Sequence, residues 1–233
     1  MNNPEGVDSM GLPTVEGERG SEAKRIYETI REDILEGRLV AEERLKISSL
    51  AARYGTSAIP VREALQQLRG EGFVTFSHNV GAFVRAIDEA FIRDNAEITA
   101  QIEPYLVRWA VSVINDDHIH RMERIQAEIE ERGFEDHDSY ATLDEAFHRV
   151  LYDEHYNRQA VDLWWRNREI IKLVARRFDF PRARRAAIID EHRSLIEFVR
   201  EGNVDAAMAV AAKHATGSGN HVVERMRAKK ALR

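Results

Sequence analysis

One short stretch limits the fold more than any other. FVTFSHNVGAFVRA, residues 73–86, alternates aromatic and β-branched residues with small and polar ones, which is the period of a strand. A turn at His78–Gly81 divides it into a hairpin. Elsewhere the apolar residues recur at the 3.6-residue period of helices. The chain is therefore expected to be mostly α, with one β-wing.

The helices ahead of the wing are short and well punctuated. Ile26, Tyr27, Ile30 and Ile34 share a face of a helix over residues 22–36, and Gly37 stops it. RLVAEERLKI leads to a second helix, residues 49–54, ending at Gly55. Ser57 stands at the N-cap of a third helix, residues 58–69. Pro60 is tolerated in its first turn, where the amide it lacks has no helical partner. Val61, Ala64, Leu65 and Leu68 form the inner stripe, and Ala58, Ile59, Arg62, Gln66 and Arg69 the outer one.

Helix, helix–turn–helix and wing make a DNA-binding layout over residues 21–86. Such a motif lays the N-terminal residues of its second helix against base edges in the major groove. Ser57, Ala58, Ile59 and Arg62 occupy that place. Arg62 has the fork to hold a guanine or a phosphate. Arg53, with His78 and Asn79 at the wing, are the candidates for backbone contacts. On pattern alone, the same segment is also a plain three-helix corner.

Charge does not settle the matter. The 233 residues carry a net charge of −6, and residues 21–86 hold ten Lys/Arg against nine Asp/Glu. A strongly basic footprint is missing, so a nucleic-acid reading must rest on geometry. There are no cysteines, hence no disulfide framework and no thiolate chemistry. No apolar run approaches the roughly 20 residues of a membrane span. Residues 1–20, polar and rich in Gly, lack the features of a signal peptide and are expected to be a mobile tail. Cytoplasmic residence follows as the default expectation.

From residue 88 the pattern is helical, with spans near 88–114, 116–132, 139–155, 158–178, 182–201 and 204–228, giving an all-helical second domain over residues 88–230. Within it, TLDEAFHRV sets Asp144 and His148 one turn apart on one helix face. Alone, that is more often a salt bridge than half of a metal site. His192 and His214 lie on two further amphipathic helices, beside Ile188, Leu195 and Val199 and after Ala207, Val210 and Ala211. Three imidazoles and a carboxylate converging inside a bundle would suit a divalent metal ion: zinc first, or nickel, manganese or iron(II).

SAIPVREALQQLRGEGFV, followed by a wing ending in GAFV, resembles the winged helix of GntR-type bacterial transcription regulators. That resemblance places Ser57, Arg62 and His78 at DNA-contact positions. The chain departs from it at Ala58, where the family usually has Arg, and at Val40–Ala41, where it usually has Pro-Gly. Residues 89–227 are similar to the FCD ligand-binding domain of the FadR-like subgroup, through DEAFH, Asn157, EHRSLI, GNVDAA and the late His. The resemblance implies metal ligands Asp144, His148, His192 and His214, a homodimer, a palindromic operator and a small organic acid effector. Many members carry an effector-pairing Arg one turn before Glu103, and this chain has Thr99 there. Arg176 or Arg177 are the substitutes by sequence, and Gly217 and His221 share the face of His214. Thr99, Glu103, Arg176, Gly217 and His221 are therefore the effector-site candidates.

An enzyme would need a base beside the metal. Glu145 is next to Asp144 in sequence but about 100° around the helix. The expectation is thus a ligand-responsive regulator, with a metal-dependent hydrolase or lyase carrying an accessory module as the alternative, and a purely structural metal as a third reading.

Overall fold

The structure is a computed structural model that describes residues 15–78, 80–134 and 136–231. The chain divides into two compact units, one running to Ala86 and one starting at Ile87.

The first unit holds α1 (Val15–Leu35), β1 (Arg44–Leu45), α2 (Ile47–Tyr54), α3 (Ala58–Gly70), β2 (Val74–Ser77) and β3 (Gly81–Val84). β3 is central in an antiparallel sheet of order β1-β3-β2, with Thr75 opposite Phe83 and Arg44 also opposite Phe83 from the other side. β1 lies in the segment expected to be only a connector. Its two residues are too few to show a period, and their pairing is tertiary. Ile26 and Ile30 from α1 meet Val61, Leu65 and Leu68 from α3 and Phe73 in a fully buried core. Gly55 closes α2 in the left-handed conformation at φ 63, its amide donating to the Ala51 carbonyl.

Two local expectations need correction. α1 begins at Val15, so residues 15–20 are helical rather than tail; residues 1–14 lie outside the described residues. Extending an anchored helix is easier than nucleating one. Ser57 occupies the N-cap of α3 with extended backbone, but its hydroxyl makes no capping bond.

A charged knot also holds the first unit. Buried Asp33 accepts from Arg38 Nε at 2.6 Å, Arg53 at 2.8 Å and the Tyr54 hydroxyl at 2.7 Å. Burial alone would raise its carboxyl. The Tyr54 hydrogen bond and the two guanidinium groups outweigh that and hold it below the usual range.

The second unit comprises α4 (Glu89–Val113), α5 (Asp116–Glu128) with a π turn at Ile129–Gly133, α6 (His137–Tyr152), α7 (Arg158–Ala175), α8 (Arg182–Arg200) and α9 (Val204–Ala231). Side-chain caps start four of them: Asp88 on Phe91 N, Asn115 on His118 N, Asp136 on Ser139 N and Asn157 on Ala160 N. Leu106, Met122, Phe147, Trp164, Leu195 and Ala211 fill the core. α4 and α9 approach closely: a Cβ at Gly219 would fall 2.2 Å from the Ala96 Cβ. No described helix is long and apolar enough to cross a membrane.

Candidate metal centre

α6 supplies Asp144 and His148, α8 supplies His192 and α9 supplies His214. All four are buried, and the ligand atoms they offer lie within 4.8 Å of one another. The i, i+4 spacing on α6 aims Asp144 and His148 at one point. On α8 the apolar register of Ile188, Leu195 and Val199 carries His192 into the core with it. Asp144 Oδ1 stands 3.8 Å from His148 Nε2 and 3.7 Å from His192 Nε2. These separations are too long for hydrogen bonds and suit two ligands of one ion.

The outer edges of the rings are held from behind. His192 Nδ1 lies 2.9 Å from Gln126 Oε1 on α5. His214 Nδ1 donates to Glu191 Oε2 at 3.1 Å. His148 differs: its Nδ1, 3.6 Å from Glu103 Oε1 on α4, makes no hydrogen bond among the described residues. Their Nε2 atoms are buried without a hydrogen-bond partner among the described residues. An orphaned buried polar atom costs about 1–3 kcal/mol, so three at one point mark a place built for something else. Three imidazoles, two of them with hydrogen-bonded outer edges, and a carboxylate make a donor set that fits a divalent ion.

Electrostatics agree. Burial, reinforced by the field of Arg168, pushes His148 well below the ordinary imidazole value, and burial does the same for His192. Both are kept in the neutral form that binds metal. Burial would raise Asp144, but the Arg168 guanidinium, the neighbouring imidazoles and the Tyr140 hydroxyl at 2.8 Å leave it below the usual range, as a carboxylate. Burial raises the Glu103 carboxyl.

A cavity of about 60 Å³ adjoins the cluster, and Tyr140, Asp144, Arg168, Lys172, Arg176 and His221 are on its wall. Two of the effector candidates, Arg176 and His221, therefore reach it. Thr99 and Glu103 do not: Thr99 is buried with its hydroxyl on the Asn95 carbonyl, and Glu103 sits behind His148. Gly217 makes room for a side chain, since a Cβ there would fall 2.6 Å from Arg184 Nη1. Arg184 in turn holds Glu191, at 3.1 Å, and Ser218, at 3.0 Å. Sequence reasoning missed Gln126, Arg168, Arg184 and Glu191.

Compared with known proteins, residues 22–84 match the bacterial regulatory proteins of the gntR family, and residues 94–217 match the FCD domain. The chain belongs to the GntR family and carries an FCD domain. The chain is 24% identical over 207 residues to the uncharacterized HTH-type transcriptional regulator YdhC of Bacillus subtilis, covering 87% of this chain and 90% of that one. It is 30% identical over 140 residues to the Nta operon transcriptional regulator of Aminobacter aminovorans, covering 60% and 63%. Among solved structures, Escherichia coli McbR/YncC superposes with a TM-score of 0.64 at 14% identity, covering 88% of this chain and 98% of that one. A GntR regulator from Rhodococcus gives 0.59 at 21%, covering 88% and 98%. The matched domains and the relatives are those of transcription regulators rather than enzymes.

In the GntR module, Ser57, Ala58, Ile59 and Arg62 are exposed along the start of α3, and Ile59 is 57% exposed despite its apolar side chain. His78 is exposed at the wing, and Asn79 lies outside the described residues. Arg53 is exposed, yet one of its nitrogens is engaged by Asp33.

Proposed function

We propose that this GntR–FCD regulator is a homodimeric, cytoplasmic repressor of a catabolic operon that senses a small organic acid at a metal held by Asp144, His148, His192 and His214. The observation that carries the reading is the set of three partnerless Nε2 atoms facing Asp144 inside the FCD domain. Zinc is the first candidate, with nickel, manganese and iron(II) as the others. The ion supplies a Lewis-acid anchor for an effector oxygen. The chain's own part is to aim the rings, keep them neutral and offer the cavity. Glu145, the nearest spare carboxylate in sequence, is engaged by Arg149 and Lys172 and supplies no base.

In this reading two winged helices meet the half-sites of a palindromic operator, with Ser57, Ala58, Ile59 and Arg62 at base edges and Arg53, His78 and Asn79 at the backbone. Pairing supplies the affinity that a nearly neutral module lacks. An effector that favours one arrangement of the helical domain releases the DNA; full switching needs about 5.5 kcal/mol of discrimination. Repression of an operon is supported by names such as the transcriptional repressor RspR of Escherichia coli, 27% identical over 132 residues.

Elemental analysis and gel retardation test the two halves separately. Purified protein should hold metal, and His148→Ala and His192→Ala should lose it while keeping their helix content. Unchanged metal in those variants would sink the site. The protein should retard its own promoter with a steep salt dependence, and failure to bind any genomic fragment at low salt would sink the regulator reading.

A further inference from the structure

Ile59 is out of keeping with the rest of α3. It stands two residues before the fully buried Val61, about 200° around the helix. The core stripe of Val61, Ala64, Leu65 and Leu68 therefore cannot draw it inward, and it is 57% exposed. A single exposed apolar side chain is ordinary on a protein surface. Its place is what gives this one a meaning: the first turn of the second helix of a helix–turn–helix, where side chains meet base edges.

Polar means of reading a base are scarce at that place. Ala58, Ile59, Pro60 and Val61 form the first turn, and none has a side chain that can hydrogen-bond. Ser57, just ahead of them, offers one hydroxyl, which makes no capping bond. Arg53 is already engaged by Asp33. Arg62 and Gln66, three and seven residues after Ile59, share its side of the helix and are exposed. Neither has a hydrogen bond or ion pair among the described residues. The outer face thus offers an apolar side chain, a guanidinium and an amide in succession.

Each of these has a natural mate in the major groove. A guanidinium forks to guanine, an amide pairs with adenine, and an aliphatic side chain meets the C5-methyl group of thymine. Desolvation makes the last match selective. An aliphatic side chain laid over the amino group of cytosine or adenine strips its water and returns no hydrogen bond. Laid over a methyl group, it removes two apolar surfaces from water together.

We infer that Ile59 is a specificity-determining residue that reads the C5-methyl group of a thymine in the operator. The base under the first turn of α3 is then selected by apolar contact, and hydrogen-bonded readout begins only at Arg62. The inference rests on the base-edge placement of α3 proposed above and adds to it the chemistry of the contact.

The test starts from a random-sequence duplex pool, from which the full-length protein selects its preferred sequence. Each thymine of the selected duplex is then replaced by deoxyuridine, which deletes only the C5-methyl, and binding is followed by fluorescence anisotropy at fixed salt. One such replacement in a half-site should weaken wild-type binding about fourfold, the size expected for one buried methyl. Ile59→Ala should bind the unmodified duplex more weakly than the wild type and bind the thymine and deoxyuridine forms at that position equally. Ile59→Val, still apolar and branched, should keep most of the discrimination. Both variants should fold, since Ile59 lies outside the core, and circular dichroism checks it. The inference is overturned if no replacement weakens the wild type by more than about twofold, or if Ile59→Ala keeps the wild-type sensitivity at every thymine. A wild type that enriches no sequence from the pool overturns the base-edge placement itself.

Discussion

The GntR module and the FCD domain each bury an aspartate, and they complete it in opposite ways. Asp33 is closed by three donors from its own unit, Arg38, Arg53 and Tyr54, whose two guanidinium groups reach solvent. Asp144 is closed on one side by Tyr140 and Arg168, and on the other it faces three imidazole nitrogens without partners. Burial of a charge is common to both, so burial does not mark a functional site. What separates them is the balance of donors and acceptors left over after folding. The first cluster is satisfied by the chain itself, and the second leaves buried imidazole nitrogens without a partner among the described residues.

The largest effect should come from removing that outside component. With zinc about a thousandfold above its dissociation constant, unfolding of the FCD domain should be stabilised by about 4 kcal/mol, and His192→Ala should erase the increment. Calorimetry with and without zinc measures it. An equal zinc effect on the GntR module would break the contrast.

Next in size is the closed cluster. Asp33→Ala leaves two guanidinium groups and a hydroxyl without their acceptor. Because both guanidinium groups can turn to water, the cost should be about 2–3 kcal/mol, below that of a fully buried pair. Urea unfolding followed in the GntR module reads it, and zinc binding should not change.

A smaller loss is expected behind the cluster. Gln126→Leu frees His192 from its support without removing a ligand, and should weaken zinc about tenfold with the helix content intact. Zinc affinity equal to the wild type would deny Gln126 its orienting role.

The mildest test is acid. Asp33 is held below its ordinary value, so its contribution is complete above the unfolded value, about 3.9, and disappears as pH falls through the lower folded value. Denaturant midpoints for the wild type should therefore drop more steeply below about pH 4 than those of Asp33→Asn. Parallel curves would mean the knot adds nothing.

The periodic parts of this molecule were legible in advance. Val61, Ala64, Leu65 and Leu68 announce the inner face of α3. Asp144, His148, His192 and His214 stood out because histidines on apolar faces are uncommon. Arg168, Arg184, Glu191 and Gln126 did not, because a lone charged or amide residue usually reads as solvated. Their signal was register. Arg168 is one turn from Trp164, Arg184 one turn from Ile188, Glu191 one turn from Leu195 and Gln126 one turn from Met122, all on buried faces. β1 was beyond reach, since its pairing with β3 is decided by tertiary approach.

The supports behind the rings have a consequence for what the regulator reports. Glu191 can only accept, so His214 carries its proton on Nδ1; the Gln126 oxygen imposes the same tautomer on His192. The inward nitrogens then present lone pairs with no proton to share among them, and lone pairs crowded at one point repel. A divalent ion held by the four ligands would take up those lone pairs, and the proton placement that Glu191 and Gln126 enforce on the far side of the rings is what would leave them free for it.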